Sequence, residues 1–250
     1  MNIAVCVKQV PDTETKIKIA EDKKSINESE INFILNPYDE FAVEEALKLK
    51  ESNGGEVTII SLGPDRISST IRSALAMGAD KAIHIKSKNH PVDPVVTAKA
   101  LAVVLKEGNY DIILAGKQAI DDDNQQVAPM LSEILDIPII NVITKLEVSG
   151  TKVVAERQIE GGFEKVECEL PAIVSAQRGL NEPRYASLKG IMAAKRIQIE
   201  EKTAAADENK IEVVEINYPP QKPPGKIVGE GADAVPELIR LLKEEAKVIS

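Results

Sequence analysis

The chain has 250 residues, 43% of them hydrophobic and 28% charged, with a formal net charge of -9, a size that suits one large α/β core with appendages better than two complete domains. Its negative balance gives no broad attraction to DNA or RNA phosphates, so nucleic acid is not an expected partner. Cys6 and Cys168 lie far apart and outside any C-x-x-C pairing, and no run approaches 18 consecutive apolar residues; this argues against a disulfide framework, a cysteine-rich metal site and a membrane span. The start, "MNIAVCVKQV", reads as a strand and not as a cleaved leader, and a cytoplasmic, reducing location is expected.

The run "NIAVCV" (2–7) is the first expected strand. A helix follows over "YDEFAVEEALKLKES" (38–52): Asn36 is a favoured N-cap, Pro37 a favoured first residue, and Asp39 and Glu40 stand in the first turn, with Gly54 and Gly55 at the end. Next come a strand at "EVTIISLG" (56–63), a helix begun by Pro64 and stopped at Gly78, a strand at "KAIHIK" (81–86), a helix at 93–108 and a strand at "DIILAG" (111–116). In "QQVAPMLSEILD" (125–136), Val127, Met130, Leu131, Ile134 and Leu135 share a helical face, and Pro129 fits there only near the first turn. Alternation of strand and helix implies parallel strands with helical crossovers, and the continuous apolar runs imply a sheet covered on both faces. The expected fold is α/β: a doubly wound, mostly parallel, Rossmann-like sheet.

After "PIINVITKLEV" (138–148) the pattern changes. "TKVVAERQIEGGFEKVECELPAIVSA" (151–176) alternates charged and apolar residues around Gly161 and Gly162, which predicts an antiparallel hairpin followed by a further strand. Residues 200–231, with "KTAAADENK" and "YPPQKPPGK", read as an extended connection, and 233–249 as a closing helix with Leu238, Leu241 and Leu242 on its apolar face. The expected division is a nucleotide-binding domain over 1–199, carrying the hairpin, and an arm plus helix over 200–250 that docks elsewhere.

In a parallel sheet the strand ends meet along one edge, where neighbouring crossovers leave on opposite sides and ligands bind. "CVKQVPD", "SLGPDR" and "GKQAIDDDNQQ" arrive there, and two of them enter helix N-termini suited to an anion such as a nucleotide phosphate. Neither G-x-G-x-x-G nor G-x-x-x-x-G-K-[ST] follows any of these strands. The triplet Asp121, Asp122 and Asp123 has three readings: a divalent-metal site completed by another segment, a helix cap, or a solvated turn, with the cap or turn preferred. His84 and His90 lie outside the converging segments, and no G-x-S-x-G or H-E-x-x-H string occurs. Cys6, with no histidine to activate it, reads as a small buried residue before a nucleophile. The residues describe a nucleotide site without an obvious catalytic group.

Four strings in order, "NPYDEFAVEEALKLKE", "ALAMGAD", "GKQAIDDD" and "LPAIVSAQRGLNEPRYASLKGIMAAKR", resemble the β subunit of electron transfer flavoprotein, over about residues 1–200. The resemblance implies a heterodimer with an α subunit whose mobile domain holds most of the redox-active FAD. It also implies a buried adenine nucleotide in the β subunit, AMP in ordinary members and a second FAD in electron-bifurcating ones. Its site residues map here to Cys6, Asn36, Pro37, Tyr38, Asp39, Leu62, Gly116, Lys117, Gln118, Ala119, Ile120, Asp121, Asp122, Asp123, Asn124, Gln125, Gln126 and Val127. On this reading backbone amides receive phosphate, the aspartates shape the turn, and no metal is required.

The loop has mixed features. Ordinary members continue the aspartates with Cys-Asn-Gln-Thr or Ser-Asn-Gln-Thr, whereas Asn124-Gln125-Gln126-Val127 stands here; "QVAP" and "VKQVPDT" look like the bifurcating branch, but Asp122 replaces its glycine. Aspartate hinders the close backbone approach that glycine allows, so AMP is preferred to a second FAD. Residues 176–198 match the family's recognition loop for acyl-CoA-type dehydrogenases, with Arg184 and Tyr185 in it and Leu188 as apolar anchor; without the resemblance, Leu188 reads as packing the following helix. Arg157 matches an arginine that helps hold the flavin domain, although Gln158 stands where ordinary members often carry glutamate. The function implied is an electron carrier subunit without bond-making chemistry of its own. It would pass electrons from dehydrogenases of fatty acid oxidation through FAD to a membrane quinone oxidoreductase or another acceptor. The competing class is a stand-alone nucleotide-binding or hydrolysing enzyme with magnesium on the aspartates.

Overall fold

The computed structural model describes residues 1–88, 91–204, 209–221 and 224–249, and divides into two compact units, Met1–Glu215 and Ile216–Ser250. The strands are β1 (Asn2–Cys6), β2 (Gln9–Pro11), β3 (Phe33–Leu35), β4 (Glu56–Gly63), β5 (Lys81–Lys86), β6 (Ile112–Gly116), β7 (Ile139–Ser149), β8 (Lys152–Ile159), β9 (Gly162–Glu169), β10 (Ala172–Ala176) and β11 (Ile199–Thr203). The α-helices are α1 (Pro37–Asn53), α2 (Ser68–Met77), α3 (Pro94–Gly108), α4 (Val127–Leu135), α5 (Leu188–Ala194) and α6 (Val235–Glu244). Pro129 is the third residue of α4, where a missing N–H breaks no intrahelical bond.

Among the described residues the main sheet runs β11-β5-β4-β1-β6-β10-β7-β8-β9, parallel from β11 to β7 and antiparallel from β7 to β9. Successive strand side chains point to opposite faces. Ile3, Val5, Val57, Ile59, Ile112 and Leu114 pack with the buried residues of α1 and α2, while Ala4, Cys6, Ile60, Leu62 and Ile113 pack with those of α3 and α4. Both faces are therefore covered, which is why these strands are unbroken apolar runs. The crossover after β1 passes through α1 on one face and that after β6 through α4 on the other, so the switch point lies between β1 and β6.

Three features depart from the sequence reading. The antiparallel addition is two hairpins: β7 continues to Ser149 and turns through Gly150 (φ 61) into β8 before the expected turn at Gly161 (φ 79). The extended stretch from residue 200 begins inside β11, which pairs with β5 from Ile199↔Ala82 to Thr203↔Lys86. The ribbon β2–β3 is formed by two strands of only three residues each. Among the described residues no helix is long and apolar enough to cross a membrane.

Candidate nucleotide cleft and docking loop

At the switch point β1 ends in Cys6, β6 ends in Gly116 and α1 starts between them. Asp39, in the first turn of α1, is buried and accepts hydrogen bonds from the Lys8 N–H (2.7 Å), the Gly116 N–H (3.0 Å) and Asn36 Nδ2 (2.9 Å). One carboxylate thus ties both strand ends to the helix start. Burial pushes the Asp39 carboxyl up to about 7, against the downward pull of these three donors. The approach is close enough to require glycine: a Cβ on Gly116 would lie 2.2 Å from Asp39 Oδ1 and 2.8 Å from the Tyr38 carbonyl carbon.

Asn36 occupies the N-cap position, but its side chain caps no helix N–H. Its Nδ2 also donates to the Gln118 carbonyl (2.8 Å), and its Oδ1 accepts from the Ile120 N–H (3.3 Å). The capping role read from the sequence is replaced by a tertiary one, because the loop after β6 offers buried backbone groups that need partners. That loop contains the aspartates. Lys8 Nζ bridges Asp121 Oδ1 (2.8 Å) and Asp122 Oδ2 (3.0 Å). The Asp123 N–H donates to the Ala119 carbonyl (2.9 Å) with φ at 54, and its carboxylate accepts from the Gln118 side-chain amide. The triplet is an ion pair and a turn, and among the described residues no three His, Cys, Asp or Glu side chains gather as a metal site would require.

Around the loop lies a cavity of about 860 Å³, its open mouth included. Of the expected residues, Cys6, Asn36, Asp39, Leu62, Gly116, Lys117, Gln118, Ala119, Asp122, Asn124, Gln125, Gln126 and Val127 line it, whereas Pro37, Tyr38, Ile120, Asp121 and Asp123 do not. Sequence reasoning missed Lys8 and a contribution from the start of α3 and the residues just before it, namely Pro91, Val92, Pro94, Thr97 and Leu101. A lysine two residues beyond β1 in a segment already assigned to the edge was a usable signal for Lys8; the residues at and before the start of α3 lie in none of the three converging segments and gave none. The N-terminus of α4 opens onto the cavity through Val127 and Ala128, and its first N–H groups have no intrahelical carbonyl. Gln118 Oε1 is buried with no hydrogen-bond partner among the described residues. Cys6 is buried, and desolvation, with Asp39 nearby, pushes its thiol up to about 12, which disfavours the thiolate.

His84 is buried in β5, its Nε2 donating to the Gly63 carbonyl (2.9 Å); His90 lies outside the described residues. On the opposite side of the sheet, in the segment 176–198, Tyr185 is 99% and Leu188 78% exposed. Leu188 is the first residue of α5, where Ser187 caps by accepting the Gly190 N–H (3.0 Å), so the reading in which Leu188 packs its own helix does not hold. Arg184 lies on Glu44 and Glu51 of α1, and Arg157 pairs with its cross-strand neighbour Glu164 (2.5 Å).

These features define a Rossmann-like α/β protein with a cleft at its switch point and an exposed apolar loop beyond it. Residues 24–207 match the sequence model of the family described as "Electron transfer flavoprotein domain". The chain is 45% identical over 259 aligned positions, covering 100% of both proteins, to the electron transfer flavoprotein subunit beta of Bacillus subtilis. It is 38% identical to that of the pig, over 98% of this chain and 97% of the relative, and 37% identical to the mitochondrial one of japonica rice, over 100% of both. The chain belongs to the electron transfer flavoprotein family, as a β subunit.

Proposed function

We propose that this electron-transfer subunit holds AMP in the switch-point cleft as a structural nucleotide and pairs with an α subunit that carries the redox-active FAD. Electrons come from acyl-CoA-type dehydrogenases of fatty acid oxidation docked on residues 176–198 and leave to a membrane quinone oxidoreductase. We place the protein in the cytoplasm, where its two free cysteines stay reduced. The observation that carries the nucleotide reading is the cleft itself, where the N-terminus of α4 opens beside the apolar side chains of Leu62, Val92 and Leu101. The helix N-terminus suits an anion and the apolar side chains suit a planar base. A nucleoside monophosphate offers both.

Asn36 and Asp39 hold the loop from Gly116 to Val127, and its backbone amides and the start of α4 receive the phosphate. Asp122, engaged with Lys8 at the cleft, supports AMP over a second FAD. The FAD of the α subunit supplies the redox chemistry; this chain contributes scaffold, nucleotide and docking surface, and makes or breaks no bond itself. Denaturing the purified heterodimer and quantifying released nucleotides tests the proposal: close to one AMP and one FAD per heterodimer is expected. Two FAD and no AMP would make the electron-bifurcating reading the correct one.

A further inference from the structure

A surface loop that must order when its partner arrives loses affinity to conformational entropy. The segment carrying Tyr185 and Leu188 is instead fastened at three points. Before it, Arg184 sends Nε to Glu44 Oε2 (2.8 Å), Nη2 to Glu44 Oε1 (3.0 Å) and Nη1 to Glu51 Oε1 (2.6 Å), and its backbone N–H also reaches Glu44 Oε2 (3.1 Å). Asn181 Nδ2 donates to the Phe41 carbonyl (3.0 Å) and Glu45 Oε2 (2.8 Å), so the same stretch is tied to α1 twice. Within α5, Gly190 lies against α2 so closely that a Cβ would be 2.4 Å from the Ala76 carbonyl oxygen. After it, Arg72 of α2 donates to the carbonyls of Ala194 and Ile197.

Arg184 has its guanidinium engaged by two carboxylates, and the Glu44 side chain is only 5% exposed. A buried carboxylate stripped of its cationic partner is strongly unfavourable, and the fork geometry is one a lysine cannot reproduce. We propose that Arg184 is a positioning residue and not a partner contact: clamped by Glu44 and Glu51, it fixes residues 181–188 in the geometry that presents Tyr185 and Leu188 to a partner protein. The inference rests on the docking surface proposed above and assigns the roles within it. Tyr185 and Leu188 touch the partner, and Arg184 prepares them to do so.

The test uses the flavin-loaded heterodimer with two readouts, the rate of tryptic cleavage at Lys189 and the KM and kcat for reduction by an acyl-CoA dehydrogenase. Arg184→Ala should raise both the cleavage rate and the KM by about tenfold, the scale of ordering a short loop, with flavin content unchanged and kcat retained at saturating concentration. Arg184→Lys should fall between, and Glu44→Gln combined with Arg184→Ala should be no worse than Arg184→Ala alone, since both act through one contact. Leu188→Ala should raise KM without altering cleavage at Lys189. A raised KM for Arg184→Ala with unchanged cleavage overturns the proposal and makes Arg184 a direct contact; no change in either readout overturns it as well. Loosened cleavage in Arg184→Ala together with an unaltered KM in Leu188→Ala leaves the clamp standing and removes the docking reading. Should Arg184→Ala fail to assemble, Arg184→Lys and Glu51→Gln, each of which retains an ion pair, carry the same two readouts.

Discussion

A single methyl group is enough to test how the cleft is built. In Gly116→Ala the new Cβ would overlap Asp39 Oδ1 and the Tyr38 backbone, and overpacking of this kind costs about 1–3 kcal/mol. The expected result is a lowered melting temperature and loss of AMP from the purified protein, both measured on the heterodimer. Asp39 gives a pH signature. Its carboxyl is raised from 3.8 to about 7, so over that interval the folded protein keeps a proton that the unfolded chain has released. The contribution of Asp39 is therefore fully present below about pH 4 and lost as the pH rises through about 7. In Asp39→Asn that slope disappears, and wherever the new amide nitrogen takes the place of Oδ2 it faces the Lys8 N–H, donor against donor, at a cost of about 1–3 kcal/mol. Urea midpoints across this range should show the wild type losing stability with pH relative to the variant; parallel curves would mean that Asp39 is ionised throughout. The sequence made Asn36 and Asp39 visible as a cap and a dipole partner, roles set by neighbours in the chain. Their actual partners, Lys8, Gly116, Gln118 and Ile120, come from other segments.

At the scale of elements, legibility followed the length of the periodic signal. α1 to α4 and the strands that bear continuous apolar runs were predictable because one chain segment carries the whole pattern. β2 and β3, at three residues each, are too short to show a period, and the place of β10 between β6 and β7 is fixed by pairing across the sheet. The loop after β6 falls between these cases: its three aspartates were conspicuous, but Lys8, which pairs with Asp121 and Asp122, lies 113 and 114 residues away from them. Lys8 and both carboxylates are partly exposed, so the pair should stabilise the fold by no more than about 1 kcal/mol. Its effect belongs to the loop. Lys8→Ala should leave the melting temperature nearly unchanged while Asp121 and Asp122 repel each other and any phosphate beside them, so AMP should dissociate several-fold faster. Stopped-flow exchange against labelled AMP measures this, and an unaltered rate would mean that the ion pair does not shape the site.

On the scale of the whole molecule, the division of labour between the two units decides where the chain can be cut. The extended appearance of the sequence from residue 200 placed the arm's start inside β11, yet the first unit runs to Glu215. β11 covers the edge of β5; the Lys210 N–H donates to Asp93 Oδ2 (2.8 Å), whose Oδ1 accepts the Val95 N–H at the start of α3; and Glu212 pairs with Lys24 (2.7 Å). A truncation after Glu201 would strip part of an edge strand and the partner of Asp93, a residue flanked by Val92 and Pro94 of the cleft. Loss of nucleotide in that variant would say nothing about assembly. A stop after Glu215 separates the effects, since it removes only the unit containing α6, whose Val235, Leu238 and Ile239 are exposed apolar side chains. The shortened chain should stay folded and keep its AMP, yet coexpressed α subunit should no longer elute with it, and absorbance at a flavin wavelength should leave the β-subunit peak on size-exclusion chromatography. A flavin-bearing heterodimer of normal stoichiometry from that truncated chain would show that the second unit is not what holds the α subunit, and would move the assembly surface onto Met1–Glu215, with the hairpin around Arg157 as its first candidate.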